Sequence, residues 1–362
     1  SYMYGTCLPR KMMRPFLLNA HNFTPPSRTP WGGTRIVERW KSGFSAKTRE
    51  ERRVGESWEV SFGPEFPSRI ESSGQLLSEA LAQEPAFWGE DRPPASPLLV
   101  KLLDADEALS VQIHPPEGYA GLSGPESSKY EAWYILDHQP GAGLYLGFRQ
   151  GVERELLEAR LRAQADIRDL LYFVPVEVGD FFVIDAGLAH AVGAGLTLLE
   201  PQWIETGKKG VTYRYWDWNR RYDREGRPSE QGEPRELHIE HALAVTAWEA
   251  PREEALLQHI RRRFGKVDLA GPAQWQSLCG PQEGIKNERI EVRRIEGDGM
   301  LELPFPSVVS GLSVFEGQVR IRDGSGELRV GKGYSALFPA SYRPESLRLE
   351  AADALLSAAF PR

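Results

Sequence analysis

The sequence predicts a mainly β protein built of sandwich- or barrel-like units, with a few inserted helices. Short apolar runs with period-two alternation recur along the chain. Glycine and proline, at 35 and 27 positions, break the chain between those runs, and helical periodicity appears only in isolated stretches. The expected strands, in order, include SWEVSFG (57–63), PLLVKLLDA (97–105), ALSVQIH (108–114), AWYILD (132–137) and GLYLGF (143–148). SGQLLSEALAQEPAFWG (73–89) has the apolar spacing of a short amphipathic helix. The strongest helical pattern is GVERELLEARLRAQADIRDLLYF (151–173), which sets Leu156, Leu157, Leu161 and Ile167 on one stripe. ELHIEHALAVTAW (236–248) is the third. Strands and turns return in VEVGDFFVIDAGLAHAVGAGLTLLEP (176–201). Residues 250–290 read as a linker with peripheral strands, and from about 290 to the end a second β unit turns on glycine corners.

The bulk numbers bound the function. A chain of 362 residues is long enough for two domains and at least one sizeable core. Its net charge of −7 gives no basic footprint for nucleic acid. No run approaches the roughly 18 apolar residues of a membrane helix, and the start SYMYGTCLPRKMMRP lacks the apolar core of a signal peptide. Met12 or Met13 could be the natural start, so residues 1–14 are expected to be an extension. Cys7 and Cys279 are too few for a disulfide framework or a thiolate metal site, which fits a reducing compartment and a cytoplasmic location.

The stretch SVQIHPP carries the first chemical signal. Alternation puts Ser110, Gln112 and His114 on one strand face, and buried polar groups need partners. Of the seven histidines, His114 ends a strand and His190 follows GDFFVIDAGLA, whose glycine-bounded strand approximates one half of a cupin strand pair. Imidazoles and a carboxylate from adjacent strands can converge on a metal. Glu117 and Glu131 are the carboxylates near His114, and Glu131 shares a face with Trp133. The C-terminal β unit has no histidine, so any metal belongs to the first unit. Taken singly, each piece has a plain reading as core packing or a solvated strand face.

Several pieces in order resemble one family. WGGTR (31–35), VGESWEVS (54–61), PLLVKLLDADEALSVQIHP (97–115), SKYEAWYIL (128–136), GLAHAVGAGLTLLEPQ (187–202), VTYRYWDWNR (211–220) and PRELHIEHAL (234–243) together resemble the type I mannose-6-phosphate isomerases (phosphomannose isomerases) of the cupin superfamily. The resemblance implies two cupin (jelly-roll) β-barrel domains: a catalytic one over 15–250, with a helical insert near 151–173, and a C-terminal one over 251–362 without metal ligands. It implies one divalent metal, usually Zn²⁺, on Gln112, His114, Glu131 and His190, and isomerisation of mannose 6-phosphate to fructose 6-phosphate through an enediol. Arg214 matches the family's active-site arginine. Glu200 matches a glutamate near the metal that carries a proton or orients a ligand. Lys101, Ser110 and Lys129 are implied in binding substrate or its phosphate.

Lys101 stands in an apolar run and needs a partner, for which Asp104 and Asp106 are also candidates. Two departures stand out. Asp185 fills a place where the family usually has proline, and the segment 201–214 is longer and more basic than its family counterpart. An isomerase of the same fold for another sugar, or a non-catalytic sugar-binding cupin, are the competing expectations. The expected partner is a small sugar phosphate, with no nucleic acid or membrane, and the sequence gives no oligomeric state.

Overall fold

The computed structural model describes residues 13–90 and 92–362, so the expected extension over 1–14 falls almost wholly outside the described residues, and Cys7 with it. The chain is mainly β with few helices.

Two antiparallel sheets of the N-terminal part face each other. One has six strands in the order Arg261–Arg263, Asp180–Ile184, Lys129–His138, Leu196–Ile204, Leu98–Ala105 and Glu56–Val60. The other has five, in the order Tyr213–Trp216, Val111–Ile113, His190–Val192, Gly143–Phe148 and Leu171–Pro175. Strand Leu196–Ile204 shows how the sequence sorts its faces. Leu196 and Leu198 join an apolar cluster with Leu103, Ile135, Leu144, Phe182 and Val192, drawn from both sheets. Leu199 and Trp203, at odd separation, point the other way into a cluster shared with Leu278, Val292 and Leu355 of the C-terminal sheet. Each such buried leucine contributes about 1.5–3 kcal/mol relative to an exposed one. The outer face of the five-stranded sheet carries Val111, Ile113, Ala191 and Tyr215 and is covered by Leu157, Leu161 and Leu243 of two helices.

An eight-stranded sheet holds the C-terminal strands Gln274–Gly280, Ile285–Lys286, Ile290–Met300, Ser310–Asp323, Gly326–Gly331, Ser335–Phe338 and Ser346–Ala359. Its other face has a cluster of its own around Ile295, Val314, Phe338 and Leu349. The N-terminal strand Phe16–Leu17 pairs with Ser335–Phe338 of this sheet, while Arg261–Arg263 pairs back onto Asp180–Ile184. The Trp203 indole N–H also donates to the Phe360 carbonyl at 2.8 Å, tying the two parts together.

The helix expected over 73–89 is the short Leu77–Ala82, followed by a 3₁₀ turn at Pro85–Trp88, and two further elements differ from expectation. The helix expected over 151–173 spans only Arg154–Arg162. Gln164 sits at φ +54°, with N–H bonds from Gln164 to the Leu161 carbonyl and from Ala165 to the Arg160 carbonyl. That is the Schellman pattern usually signalled by glycine, and glutamine concealed it. The chain then enters strand Leu171–Pro175 on the sheet edge, leaving Leu156 exposed while Leu157, Leu161 and Ile167 are buried. Residues 250–290, expected to be a linker with peripheral strands, contain a helix at Glu253–Ile260 that buries Leu256, Leu257 and Ile260. Eight residues give barely two turns, too short for a clear periodicity.

Asp353 marks a pH-dependent strain in the C-terminal sheet. It lies between Glu296 and Glu316 on the neighbouring strands, with Oδ1 unpartnered. Burial pushes its carboxyl up to about 7, and Glu296 and Glu316 add to this against Arg294 and Arg39. The folded value lies above the unfolded one, so the folded state holds an extra proton between roughly pH 4 and 7. Stability therefore falls as pH rises through that window. Asp353→Asn should raise the melting temperature at pH 8 and leave it nearly unchanged at pH 4. The gain has a ceiling on the order of 4 kcal/mol, and equal melting shifts at both pH values would refute this reading.

Candidate metal centre

The inner ends of the facing sheets are polar. His114 follows strand Val111–Ile113, His190 opens strand His190–Val192, and Glu131 comes from Lys129–His138 across the core. All three are buried, and their ligand atoms lie within 4.8 Å of one another, a group that could hold a metal ion. His114 Nε2 is 3.1 Å from Glu131 Oε1, and His190 Nε2 is 3.8 Å from Glu131 Oε2.

Backbone carbonyls aim the imidazoles. His114 Nδ1 lies 3.0 Å from the Val211 carbonyl and His190 Nδ1 lies 2.8 Å from that of Leu188. Each Nδ1–H donates outward, so each Nε2 lone pair faces the centre, the tautomer a metal requires. Burial lowers both histidines, His190 to about 3, so both are neutral near pH 7. His114 Nε2, His190 Nε2 and Glu131 Oε2 are buried without hydrogen-bond partners. Neutral imidazoles and a carboxylate left unsatisfied together are the donor set of a divalent-metal site.

Local turns present these side chains. Gly187 stands at φ +85°, and its N–H donates to the His114 carbonyl at 3.0 Å. An added Cβ would lie 3.3 Å from both the Ala247 Cβ and the Val245 carbonyl. Asp185 accepts the Leu188 N–H on its carbonyl in the same turn. The segment 201–214 carries Val211, whose carbonyl fixes His114, and its Lys209–Gly210 pairs with Glu126–Ser127.

The remaining expected residues surround this centre. Gln112 lies opposite His190 on one neighbouring strand and opposite Arg214 on the other, giving a row of three across the sheet. Its Oε1 accepts the Ser110 hydroxyl at 3.0 Å. Lys129 Nζ is 2.7 Å from Glu131 Oε1. Burial alone would raise the Glu131 carboxyl, but the charge of Lys129 outweighs it and holds the group well below the usual carboxylate range. Burial, then the charge of Glu131, pushes Glu200 up to about 8. One Glu200 oxygen accepts the Trp133 indole N–H at 2.7 Å and the other accepts the Gln202 amide.

Three sequence expectations need correction or addition. Lys101 takes neither Asp104 nor Asp106 as partner; its Nζ lies 3.5 Å from Glu56 and 4.6 Å above the Trp58 ring. Asp104 is three residues on, hence on the opposite strand face, where it receives Arg35 Nε at 2.8 Å. Glu117 does not join the cluster but pairs with Arg289 and Arg362 of the C-terminal part. Gln202 was missed. It is fully buried, and its Nε2 lies 3.3 Å from Glu131 Oε1. Its signal was the period-two step from Glu200 in LLEPQ, polar residues on the inward face of an otherwise apolar strand.

Arg214 lies at the rim, its Nη1 donating to the Glu236 carbonyl at 2.7 Å and its Nε buried without a partner. Burial, and then Arg235, bring it down to about 10, so it stays charged at neutral pH.

Comparison with known proteins places this architecture. A model described as the phosphomannose isomerase type I catalytic domain matches residues 27–144. The mannose-6-phosphate isomerase of Streptococcus mutans serotype c is 30% identical over 314 residues, which cover 85% of this chain and 88% of that protein. The chain belongs to the type I phosphomannose isomerase family. Within the family, mannose-6-phosphate isomerase ManA of Bacillus subtilis is 33% identical over 59% of this chain and 64% of its own length. The fold is shared with a crystal structure of the mannose 6-phosphate isomerase from Bacillus subtilis, at TM-score 0.72 and 24% identity, covering 95% of this chain and 99% of that one. It is shared also with a zinc-bound holo mannose 6-phosphate isomerase, at TM-score 0.63 and 15% identity over 96% and 99% of the two chains.

Proposed function

We propose that this chain interconverts mannose 6-phosphate and fructose 6-phosphate, using one zinc ion on Gln112, His114, Glu131 and His190. The observation that carries the reading is the set of buried, unpartnered donor atoms on His114, His190 and Glu131. Likeness to a mannose-6-phosphate isomerase over 85% of this chain supports the substrate, and a zinc-bound fold relative supports the metal.

The reaction takes a proton from C2 of the open-chain sugar, passes through an enediol and returns a proton at C1. Its barrier lies in the negative charge that develops on the sugar oxygens. Bound zinc would supply a Lewis-acidic positive charge at the centre. Around it, Lys129 and Arg214 contribute fixed positive charge toward the developing oxyanion and the phosphate. Lys101 stands on the same sheet face, held by Glu56, and with Ser110 completes the expected phosphate contacts. We assign Glu200 first to orientation, since Trp133 and Gln202 occupy both its oxygens. Its raised carboxyl leaves a proton there to exchange at neutral pH.

We further read residues 15–250 as the catalytic cupin and 251–362 as a second cupin that carries no ligand. We place the enzyme in the cytoplasm, where ionised sugar phosphates are retained; no helix among the described residues is long and apolar enough to cross a membrane.

A coupled assay with mannose 6-phosphate, free mannose and other aldose phosphates tests the reading. Turnover should be greatest on mannose 6-phosphate, vanish with a chelator and return with zinc. Binding of the sugar by metal-replete protein without formation of fructose 6-phosphate would reject it in favour of a non-catalytic sugar-binding cupin.

A further inference from the structure

The segment Glu236–Leu237–His238 grips Arg214 at both main chain and side chain. The Arg214 backbone N–H donates to His238 Nδ1 at 3.1 Å, and the His238 backbone N–H donates to the Arg214 carbonyl at 2.8 Å. The Glu236 carbonyl takes Arg214 Nη1 at 2.7 Å. Arg214 thus gains a partner strand on its free side made of two backbone groups and one imidazole nitrogen. The guanidinium keeps Nε, which is buried and has no partner. An arginine fork held by one nitrogen presents its remaining donors in a fixed direction.

We propose that His238 is a positioning residue for Arg214, acting through Nδ1 as a hydrogen-bond acceptor, so that the free edge of the guanidinium meets the anionic substrate. The inference rests on the assignment of Arg214 to substrate. Its chemistry requires a neutral ring with the proton on Nε2. Burial, and then the charge of Arg214, lowers His238 from its ordinary value, which keeps Nδ1 free to accept at neutral pH. The groups facing the ring are Arg214, Glu236 at 3.8 Å from Nε2, His241 and the Tyr213 ring. Glu236 is largely exposed, so water screens its opposing charge. Residue 213 is also stacked on His241 at 4.7 Å, which packs the clamp from its other side.

The alternative is that His238 simply packs at the start of helix Ile239–Val245. Two amides separate these roles. Asparagine places its oxygen close to the position of Nδ1, whereas glutamine reaches toward that of Nε2. His238→Asn should keep kcat within about threefold of the wild type. His238→Gln and His238→Ala should lose about tenfold to a hundredfold, the scale of a small misplacement at a reacting site, with zinc content unchanged. Asn and Gln behaving alike, whether both active or both impaired, overturns the acceptor role. A fall in melting temperature with kcat unchanged in all three variants overturns it too. Arg214→Ala in the same assay keeps the two claims distinguishable. Full activity there removes the underlying assignment, whereas inactivity there beside a flat His238 series removes this inference alone.

Discussion

His190→Ala should lose bound zinc and turnover together. The imidazole is buried, neutral and pinned by the Leu188 carbonyl, so its Nε2 has no use in the fold except toward the centre. Alanine leaves Gln112, His114 and Glu131 with only one imidazole, one donor short of the proposed four-ligand shell. Several kcal/mol of charge stabilisation leave with the metal, which corresponds to a fall of about 10³-fold or more in kcat. The fold should persist, because the outward neighbour Ala191 and the cluster around Val111 and Ile113 are untouched. Elemental analysis of purified protein gives the metal result directly. Wild-type zinc content in the variant would show that His190 is a core histidine and the metal, if any, sits elsewhere.

Much of this centre is visible in the sequence because strand geometry is periodic. Gln112 and His114 two apart, Glu131 and Trp133 two apart, and the isolated Lys101 in PLLVKLL all announce an inward polar face. Strand Gly143–Phe148 coincides with its expected bounds for the same reason. What stayed hidden was set by contacts distant in sequence. Nothing local to Lys101 shows that Glu56 lies on the adjacent strand, while Asp104, much closer in sequence, faces away. Nothing in HPPEG shows that Glu117 is taken by Arg289 and Arg362 from the far end of the chain. The end of the helix at Arg162 was hidden differently, since glutamine rather than glycine adopts the left-handed turn. Nothing in the charged segment 221–236 shows that its last residue, Glu236, supplies the carbonyl that holds Arg214.

Arg214→Ala should keep its zinc and lose most of its turnover, about 10²–10³-fold in kcat, as expected when one donor to a developing oxyanion is removed. Two features separate this outcome from that of His190→Ala. Arg214 sits beside the proposed ligands in the row His190, Gln112, Arg214 across the sheet, while its side chain bonds the Glu236 carbonyl. Its own partners, the Glu236 carbonyl and the His238 ring, lie on the side away from the metal ligands' strands. The strand pairing made by its backbone survives truncation, so zinc content and melting temperature should remain close to wild type. Arg214→Lys refines the result. Lysine restores the charge but not the fork, so partial recovery would indicate that charge alone does much of the stabilising, and recovery below tenfold would place the value in the guanidinium's directed donors. Near-normal turnover of Arg214→Ala would instead leave the arginine as a tie between strand Tyr213–Trp216 and the segment that precedes helix Ile239–Val245, and the positive charge at the reacting carbon would then be left to the metal and Lys129.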